Sequence, residues 1–295
     1  MQLGSTLILD TFSEAFRMRF VRMIVTAVDD YWLDAAVREV VGYSSSVIGC
    51  DAEIGVEQYL AKSDTPDGRT GVALLAFGFS AEALATAIPN RVGQCIMTCP
   101  TTAIYDGLPD SGEKIPLGKH LRYFGDGFQR SKLLGGHRYW RVPVMDGEFI
   151  LSEKLGVSKG VAGGNIILQG TTLEVTLGAA RGASEAILPL SGVVTPFPGG
   201  VVRSGSKVGS TYKGMKASTN DAYCPTLRGR VESELVDGAN CAYEIVIDGV
   251  AEGAVAAAMR TAIETAAGEG ILAIGAGNYG GKLGKFHFHL RELME

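Results

Sequence analysis

The sequence lacks the features that mark several large classes of protein. Its 295 residues carry 27 Lys and Arg against 32 Asp and Glu, a net charge of −5, so no basic excess is present to follow a nucleic-acid backbone. No uninterrupted apolar run reaches the roughly 18 to 20 residues that cross a bilayer. The opening stretch MQLGSTLILD has no basic segment before its short apolar run, so we expect no secretion signal.

Cysteine is scarce, and its spacing excludes the common uses of paired thiols. The five cysteines, at positions 50, 95, 99, 224 and 241, include no pair with the two-residue spacing of zinc knuckles or redox motifs. We therefore expect reduced thiols in a cytoplasmic protein. His287 and His289 share one face of the strand pattern FHFHL, but no third ligand is evident, so we expect no metal site.

Hydrophobic residues make up 46% of the chain, enough for a packed core. Thr11 and Glu14 form a capping-box pair, and the apolar residues that follow recur at helical spacing as far as Val41. The first hundred residues therefore predict the order β-α-β-β-α-β. The expected strands are 5–10, 44–50, 71–79 and 101–106, and the expected helices are 11–41 and 80–98.

The second half of the sequence repeats this order. The expected strands are 161–170, 199–205, 241–248, 270–277 and 282–290, and the expected helices are 171–188 and 251–267. The predicted fold is α/β (α+β): two ferredoxin-like split-βαβ lobes from an apparent internal duplication, plus a β-hairpin insert. The lobes are expected at 1–110 and 161–295, with 111–160 as connecting loop and hairpin. One continuous mixed sheet remains the alternative.

Glycine is the main compositional excess, with 40 residues and clusters at 160–165, 196–210 and 275–284. Such clusters either bring backbone N–H groups close to a ligand or form tight turns, and both readings remain open. Neither nucleotide signature is present. GVVRSGSKVGS lacks the Gly-Lys-Ser/Thr of a phosphate loop, and GAGNYGG precedes a strand pattern where a dinucleotide-binding fold needs a helix.

Glu244 stands in the middle of the predicted strand CAYEIVID. It shares a strand face with Ala242 and Val246, while Tyr243 and Ile245 point to the other face. Apolar surroundings penalise the charged form of a carboxyl group. Two readings remain open: Glu244 faces solvent or a basic partner, or it is a general acid or base with a raised pKa.

Ten segments resemble the formylmethanofuran–tetrahydromethanopterin formyltransferase family, in order from residue 10 to the C-terminus. They are DTFSEAF, TPDGR, RVGQCIMTCPT, YFGDGF, GVAGGN, PFPGG, SKVGS, ASTNDAYCPT, YEIVIDG and AGNYGGKLG. The resemblance implies two α/β lobes, a homotetramer, no tightly bound cofactor or metal, and formyl transfer between two coenzyme substrates, methanofuran (or methylofuran) and tetrahydromethanopterin. A subunit of a formyltransferase/hydrolase complex that needs partner subunits, and a non-catalytic pterin- or protein-binding module, remain alternatives.

The resemblance also implies roles for individual residues. Glu244 in YEIV is expected to carry the proton from the attacking to the departing amine, while the formyl group passes through a direct tetrahedral intermediate. The polar stretch KASTNDAYCPT is expected to line the cleft, and the alternative is a capped loop that binds nothing. The expected substrate-binding residues are Asn165, Arg203, Ser206, Lys207, Ser218, Thr219, Asn220, Asp221, Tyr223, Asn278 and Lys282.

Overall fold

The computed structural model describes residues 1–295 and confirms a mixed α/β chain that is richer in strands than in helices. The strands are β1 (Gln2–Leu3), β2 (Thr6–Ile8), β3 (Phe12–Ala27), β4 (Glu53–Leu60), β5 (Thr70–Gly78), β6 (Ala103–Asp106), β7 (Glu113–Pro116), β8 (Arg130–Leu134), β9 (His137–Val144), β10 (Gly147–Ser152), β11 (Lys154–Gly170), β12 (Val193–Val194), β13 (Lys207–Val208), β14 (Ala217–Ser218), β15 (Cys241–Gly249), β16 (Ile271–Gly275) and β17 (Phe286–His289). The helices are α1 (Asp30–Val40), α2 (Ala81–Arg91), α3 (Gly118–Leu121), α4 (Leu173–Ile187), α5 (Glu252–Ala266) and α6 (Leu290–Leu293).

The chain forms two compact units. The continuous unit is Met18–Gly160, and the discontinuous unit joins Met1–Arg17 to Val161–Glu295. The expected lobe bounds at 1–110, 111–160 and 161–295 stay a prediction.

In the continuous unit, four antiparallel strands lie in the order β4-β5-β3-β6. Strand β6 pairs in parallel with β10, and β10 and β9 form a hairpin in which Val144 faces Gly147. Helices α1 and α2 bury Leu33, Val37 and Ile88 against residues of β3 such as Val21 and Met23. The two helices therefore cover one face of the four central strands.

In the discontinuous unit, four antiparallel strands lie in the order β12-β15-β11-β16, and β16 pairs in parallel with β2. Helices α4 and α5 bury Ala180, Ala183 and Ile263 against the strands, which contribute Ile245 and Ile247. Each unit thus has a helix after its first and third strands and the strand order second, third, first, fourth.

Most of the predicted elements are confirmed. The buried strand at 71–79, the strands at 161–170 and 241–248, and the helices at 171–188 and 251–267 appear as β5, β11, β15, α4 and α5. Ser80 caps α2, because its hydroxyl accepts a hydrogen bond from the backbone N–H of Ala83 at 3.2 Å. The hairpin insert is confirmed by β9 and β10. The final strand is shorter than expected, since only Phe286–His289 is extended.

The long first helix was wrong. Residues Phe12–Ala27 form β3, and α1 begins only at Asp30, where the Asp29 side chain accepts from the N–H of Trp32 at 3.1 Å. The apolar residues at helical spacing also fit a period of two, because Phe16, Met18 and Phe20 alternate with arginines. Glu14 is therefore a strand residue with no capping role.

The predicted strand at 44–50 was also wrong, because this segment is a series of turns. The buried Arg91 side chain binds polar groups at the start of this segment and just before it. The guanidinium donates to the carbonyl oxygens of Gly42 at 2.7 Å and Tyr43 at 2.6 Å, and to the hydroxyl of Ser44 at 2.8 Å. Within the segment, the N–H groups of Gly49 and Cys50 both donate to the Ser46 carbonyl oxygen, at 3.0 Å and 2.8 Å, so they are paired without a neighbouring strand.

The predicted strand at 199–205 is replaced by a short 3-10 turn, Pro198–Gly200, and a single bridge between Val202 and Glu244. Gly199, Gly200 and Gly205 adopt φ values of 62°, 73° and 56°, which a strand does not accommodate. No helix in the structure is long and apolar enough to span a membrane.

Candidate active site

A surface pocket in the discontinuous unit contains Glu244. Its empty volume is about 310 Å³, including space open to solvent. The floor is formed by β11 and β15, and one wall is formed by the segment that precedes β13. The lining residues are Ile167, Val202, Arg203, Ser204, Gly205, Asn220, Tyr223, Cys224, Ala242, Tyr243 and Glu244. Four predicted site residues are therefore brought together, namely Arg203, Asn220, Tyr223 and Glu244.

The backbone of Glu244 is held on both edges. On one side it pairs with Ile167 of β11, and on the other its N–H donates to the Val202 carbonyl oxygen at 2.9 Å. The Val202 N–H returns a bond to the Glu244 carbonyl oxygen at 2.7 Å. The neighbouring Ile245 points into the core with no exposed surface, so strand alternation turns the Glu244 side chain into the pocket.

The carboxyl group of Glu244 has an unusual environment. It is half-buried, and no protein group donates a hydrogen bond to it. Removal from solvent raises the pKa of Glu244 from 4.5 to about 7. A carboxyl group with this pKa exchanges its proton readily near neutral pH, which is what a general acid–base residue requires.

The polar stretch 216–226 folds over one side of the pocket and is braced by the segment before β13. The Ser204 carbonyl oxygen accepts bonds from the Asn220 N–H at 3.1 Å and from the Thr219 hydroxyl at 2.8 Å. The Asn220 carbonyl oxygen in turn accepts from the Tyr223 N–H at 3.2 Å. The backbone is therefore fixed, while the Asn220 side-chain amide has no protein partner and faces the pocket.

Family comparison agrees with the sequence resemblance. Residues 1–144 match the family described as formylmethanofuran-tetrahydromethanopterin formyltransferase, and residues 147–293 match the part described as FTR, proximal lobe. The chain belongs to this formyltransferase family.

Individual members of this formyltransferase family match over almost the whole chain. A formylmethanofuran–tetrahydromethanopterin formyltransferase from Methylococcus capsulatus is 52% identical over 289 residues, 97% of each chain. The solved formyltransferase from Methanosarcina barkeri has a TM-score of 0.94 at 41% identity, with both chains fully covered. A third match is the crystal structure of the formyltransferase/hydrolase complex from Methylorubrum extorquens with methylofuran. One chain of that complex has a TM-score of 0.94 at 47% identity, and the match covers 98% of this chain and 96% of that chain.

The predicted site residues other than Arg203, Asn220, Tyr223 and Glu244 lie outside the pocket lining of this formyltransferase. Lys207 forms an ion pair with Asp221, which lowers the pKa of the Asp221 carboxyl. The Ser218 hydroxyl is buried with no partner, and Ser206 lies 3.4 Å from the Tyr279 hydroxyl. Lys282 is exposed to solvent.

Asn165 and Asn278 bind backbone. The Asn165 side chain accepts from the Gly277 N–H at 2.6 Å and donates to the Gly277 carbonyl oxygen at 3.1 Å. The Asn278 amide donates to the Phe12 carbonyl oxygen at 3.1 Å. Because these amides are already engaged within the protein, their structural role is to fix the glycine-rich segment that starts at residue 277. Their expected contact with substrate stays a prediction.

Two carboxylates were missed by sequence reasoning. Glu14 accepts four backbone bonds, which are described below. Glu234 accepts a hydrogen bond from the Tyr223 hydroxyl at 3.2 Å, and burial together with Glu234 raises the pKa of Tyr223. No local pattern marks Glu234, since its partner lies 11 positions earlier in an irregular segment.

Both histidines of FHFHL lie close to the Phe12 ring, with centroid distances of 5.1 Å for His287 and 5.2 Å for His289. No group of three or more His, Cys, Asp or Glu side chains is placed to hold a metal ion. The contacts that the structure shows for these two side chains are aromatic packing against Phe12.

We expect Glu244→Gln to stabilise the protein in a pH-dependent way. The pKa of Glu244 in the folded protein, about 7, exceeds its usual value of 4.5, so ionisation of Glu244 lowers the free energy of unfolding. This loss increases as the pH rises from 4.5 to 7 and is constant above 7. The full cost corresponds to about 3 kcal/mol. Urea unfolding of both proteins at several pH values measures the difference, and a difference that is the same at pH 5 and pH 8 would contradict the raised pKa.

Proposed function

We propose that this chain transfers a formyl group between formylmethanofuran, or its methylofuran counterpart, and tetrahydromethanopterin, with Glu244 as the proton carrier. Membership of the formyltransferase family supports the reaction. The observation that carries the residue assignment is a half-buried carboxyl group with no internal partner and a pKa of about 7, directed into a pocket.

The chemistry is an exchange of one formyl amide for another. The tetrahydromethanopterin amine attacks the formyl carbon, a new C–N bond forms, and the carbonyl oxygen becomes an oxyanion. Glu244 takes the proton from the attacking nitrogen and delivers it to the methanofuran nitrogen, whose bond to carbon then breaks as the carbonyl re-forms. No proton is consumed overall, which suits a group whose two protonation states are close in free energy near pH 7.

Positioning of the two substrates supplies much of the rate enhancement in this proposal, because they react directly without a covalent formyl-enzyme. The oxyanion requires hydrogen-bond donors that are in place before it forms. The Asn220 side-chain amide supports this part of the proposal, since it faces the pocket and has no protein partner.

Arg203 is the proposed contact for a substrate carboxylate. It lines the pocket, is exposed, and has no acidic partner within the protein. We expect Arg203→Ala to raise the KM of the coenzyme whose carboxylate it binds by about 10-fold, with kcat unchanged, because binding is lost equally in the ground and transition states.

Steady-state kinetics with each coenzyme varied in turn measures the Arg203 effect. Arg181→Ala is the matched control, since Arg181 lies on α4 of the same unit and already pairs with Glu185 at 2.7 Å on an exposed surface. Equal KM changes in the two variants would indicate a general effect of charge and would remove Arg203 from the binding site.

The decisive experiment is a transfer assay on the purified chain alone, supplied with formylmethanofuran and tetrahydromethanopterin and followed optically. Formation of formyl-tetrahydromethanopterin supports the proposed function. Absence of transfer by the chain alone, followed by transfer when hydrolase-complex subunits are added, would favour the complex-subunit alternative. Coenzyme binding without transfer in either preparation would favour the non-catalytic binding module.

Assembly, location and ancestry form a second part of the proposal. A homotetramer is proposed from the family resemblance, and a complex with hydrolase subunits is the alternative suggested by the Methylorubrum extorquens structure. A cytoplasmic location is supported by five free cysteines. Ferredoxin-like units that arose by duplication are supported by the strand order that both units share. Light scattering of the purified protein tests the oligomer.

A further inference from the structure

Glu14 is a buried carboxylate that the proposed reaction does not use. Its side chain lies on the first part of β3, in the discontinuous unit, and the residue is 1% exposed. One carboxylate oxygen accepts from the N–H groups of Tyr279 at 2.7 Å and Gly281 at 2.8 Å. The other accepts from Leu283 and Gly284, both at 2.5 Å. Four N–H groups that converge on one carboxylate form an anion-binding nest, here occupied by the protein's own side chain.

The carboxylate is held in its ionised form. Burial alone raises the pKa of Glu14, but the four backbone N–H groups outweigh burial and lower it below its usual value. Glu14 is therefore charged throughout the neutral pH range. Its hydrogen bonds to the loop are kept over the pH range in which Glu244 gains or loses its proton.

The glycine loop, residues 277–284, depends on these bonds for its shape. Gly280 and Gly281 adopt φ values of 70° and 71°, and a Cβ on Gly284 would lie 2.5 Å from the Ala15 carbonyl oxygen. The loop has no strand partner over residues 277–284, so side chains from β3 and β11 supply its anchors. Asn165 holds the first residue, Gly277, the Asn278 side chain holds the second through the Phe12 carbonyl oxygen, and Glu14 holds the part from Tyr279 to Gly284.

The glycine loop meets the wall of the Glu244 pocket. The Tyr279 hydroxyl lies 3.4 Å from the Ser206 hydroxyl, and Ser206 follows directly on Gly205 of the pocket lining. A Cβ on Gly205 would lie 3.6 Å from Oε2 of Glu244, so the path from the loop to the proposed proton carrier is short. The Tyr279 ring also packs near Phe16, at a centroid distance of 6.1 Å.

We propose that Glu14 is a positioning residue for formyl transfer: it holds the glycine loop so that Tyr279 supports Ser206 and the pocket wall beside Glu244. The inference rests on the proposed function, because the pocket wall matters only if the substrates react there. Since all four bonds join groups of the same chain, the wall is formed before either coenzyme binds, which lowers the ordering cost at each turnover.

The test is Glu14→Gln. Glutamine keeps the size of the side chain but replaces one carboxylate oxygen with an NH2 group, which cannot accept the pair of N–H bonds that this oxygen received. We expect kcat/KM to fall about 10- to 100-fold, a size typical of a misplacement of around 1 Å in a site. KM should rise, and the midpoint of the pH profile of kcat should remain where Glu244 places it.

A double-mutant cycle distinguishes a positioning role of Glu14 from a general loss of protein stability. Tyr279→Phe removes only the hydroxyl that reaches Ser206, and we expect about a three- to tenfold loss in kcat/KM. The combined variant should be no worse than Glu14→Gln alone, because the two changes interrupt one path. Glu57→Gln is the control: this buried carboxylate of the continuous unit pairs with Arg22 at 2.6 Å, and its loss should lower Tm and leave KM unchanged.

Each outcome bears on the proposal. Fully additive losses, or wild-type kcat/KM in folded Glu14→Gln, overturn it. If Glu14→Gln does not fold, Tyr279→Phe decides alone, and wild-type kinetics in that variant overturn the path through Ser206. Absence of formyl transfer in the wild-type chain and in its complex overturns the proposed function itself, a result that the variants cannot produce.

Discussion

Glu244→Gln is expected to lower kcat by about 100-fold or more, the usual size of the loss when a general acid–base group is removed. Glutamine keeps the shape of the side chain, and the backbone bonds between residue 244 and Val202 do not involve it. The variant should therefore fold and bind both coenzymes, while the proton of the attacking amine has no carrier. Steady-state transfer kinetics at pH 7 measures the change.

The pH profile provides the internal check on this result. In the wild type, kcat should rise with pH around a midpoint near 7, because Glu244 must be ionised to accept the first proton. The variant should lose that dependence. Glu264→Gln, an exposed carboxylate on α5, is the matched control and should keep both the rate and the profile. Near-wild-type turnover in folded Glu244→Gln would falsify its role as the proton carrier.

Gly205→Ala is expected to lower kcat/KM by about 10- to 100-fold. The residue has φ of 56°, a left-handed backbone conformation that costs a non-glycine residue roughly 1 kcal/mol. Its new methyl group would stand 2.8 Å from Cβ of Asn220 and 3.6 Å from Oε2 of Glu244. The substitution therefore displaces one wall of the pocket and fills space beside the proposed proton carrier.

Gly209→Ala is the control for backbone strain. Gly209 has a similar positive φ of 83°, yet a methyl group there would meet no atom within 4 Å. Both variants carry the cost of a positive φ, and Gly205→Ala should lose more stability in thermal unfolding because of its close contact with Asn220. Only Gly205→Ala should lose activity. Equal kinetic losses in the two would show that strain in this segment, rather than the shape of the pocket, limits the reaction.

The elements that were predicted correctly are those whose signal is local. Strand β5 and helices α4 and α5 are long, strongly apolar or strongly periodic, and α4 begins at a capping residue, Thr172, whose hydroxyl accepts from the Val175 N–H. The helix predicted from Thr11 failed because the apolar residues in this stretch fit both helical spacing and alternation. Pairing of β3 with β5 and β6, between 40 and 90 positions away, decides in favour of the strand.

In the candidate site, too, some features follow from local sequence patterns and others depend on residues far away along the chain. Alternation along β15 was enough to separate Glu244 from the core residues Ile245 and Ile247. Closure of the pocket by Val202 and Gly205 arises from an irregular segment about 40 positions earlier, where glycine conformations rule out regular pairing. The role of Glu14 was beyond local reasoning, because its four partners are more than 260 positions away.

That separation has a consequence for biosynthesis. The carboxylate of Glu14 leaves the ribosome 265 residues before the first amide it will bind, an interval of about 13 to 50 s at ordinary elongation rates. During that interval the residues of the continuous unit, Met18–Gly160, are already synthesised, while the first 17 residues still await their counterpart from Val161 onward. The nascent chain therefore carries the Glu14 carboxylate without its native hydrogen-bond partners until Tyr279 and the residues that follow it have been synthesised.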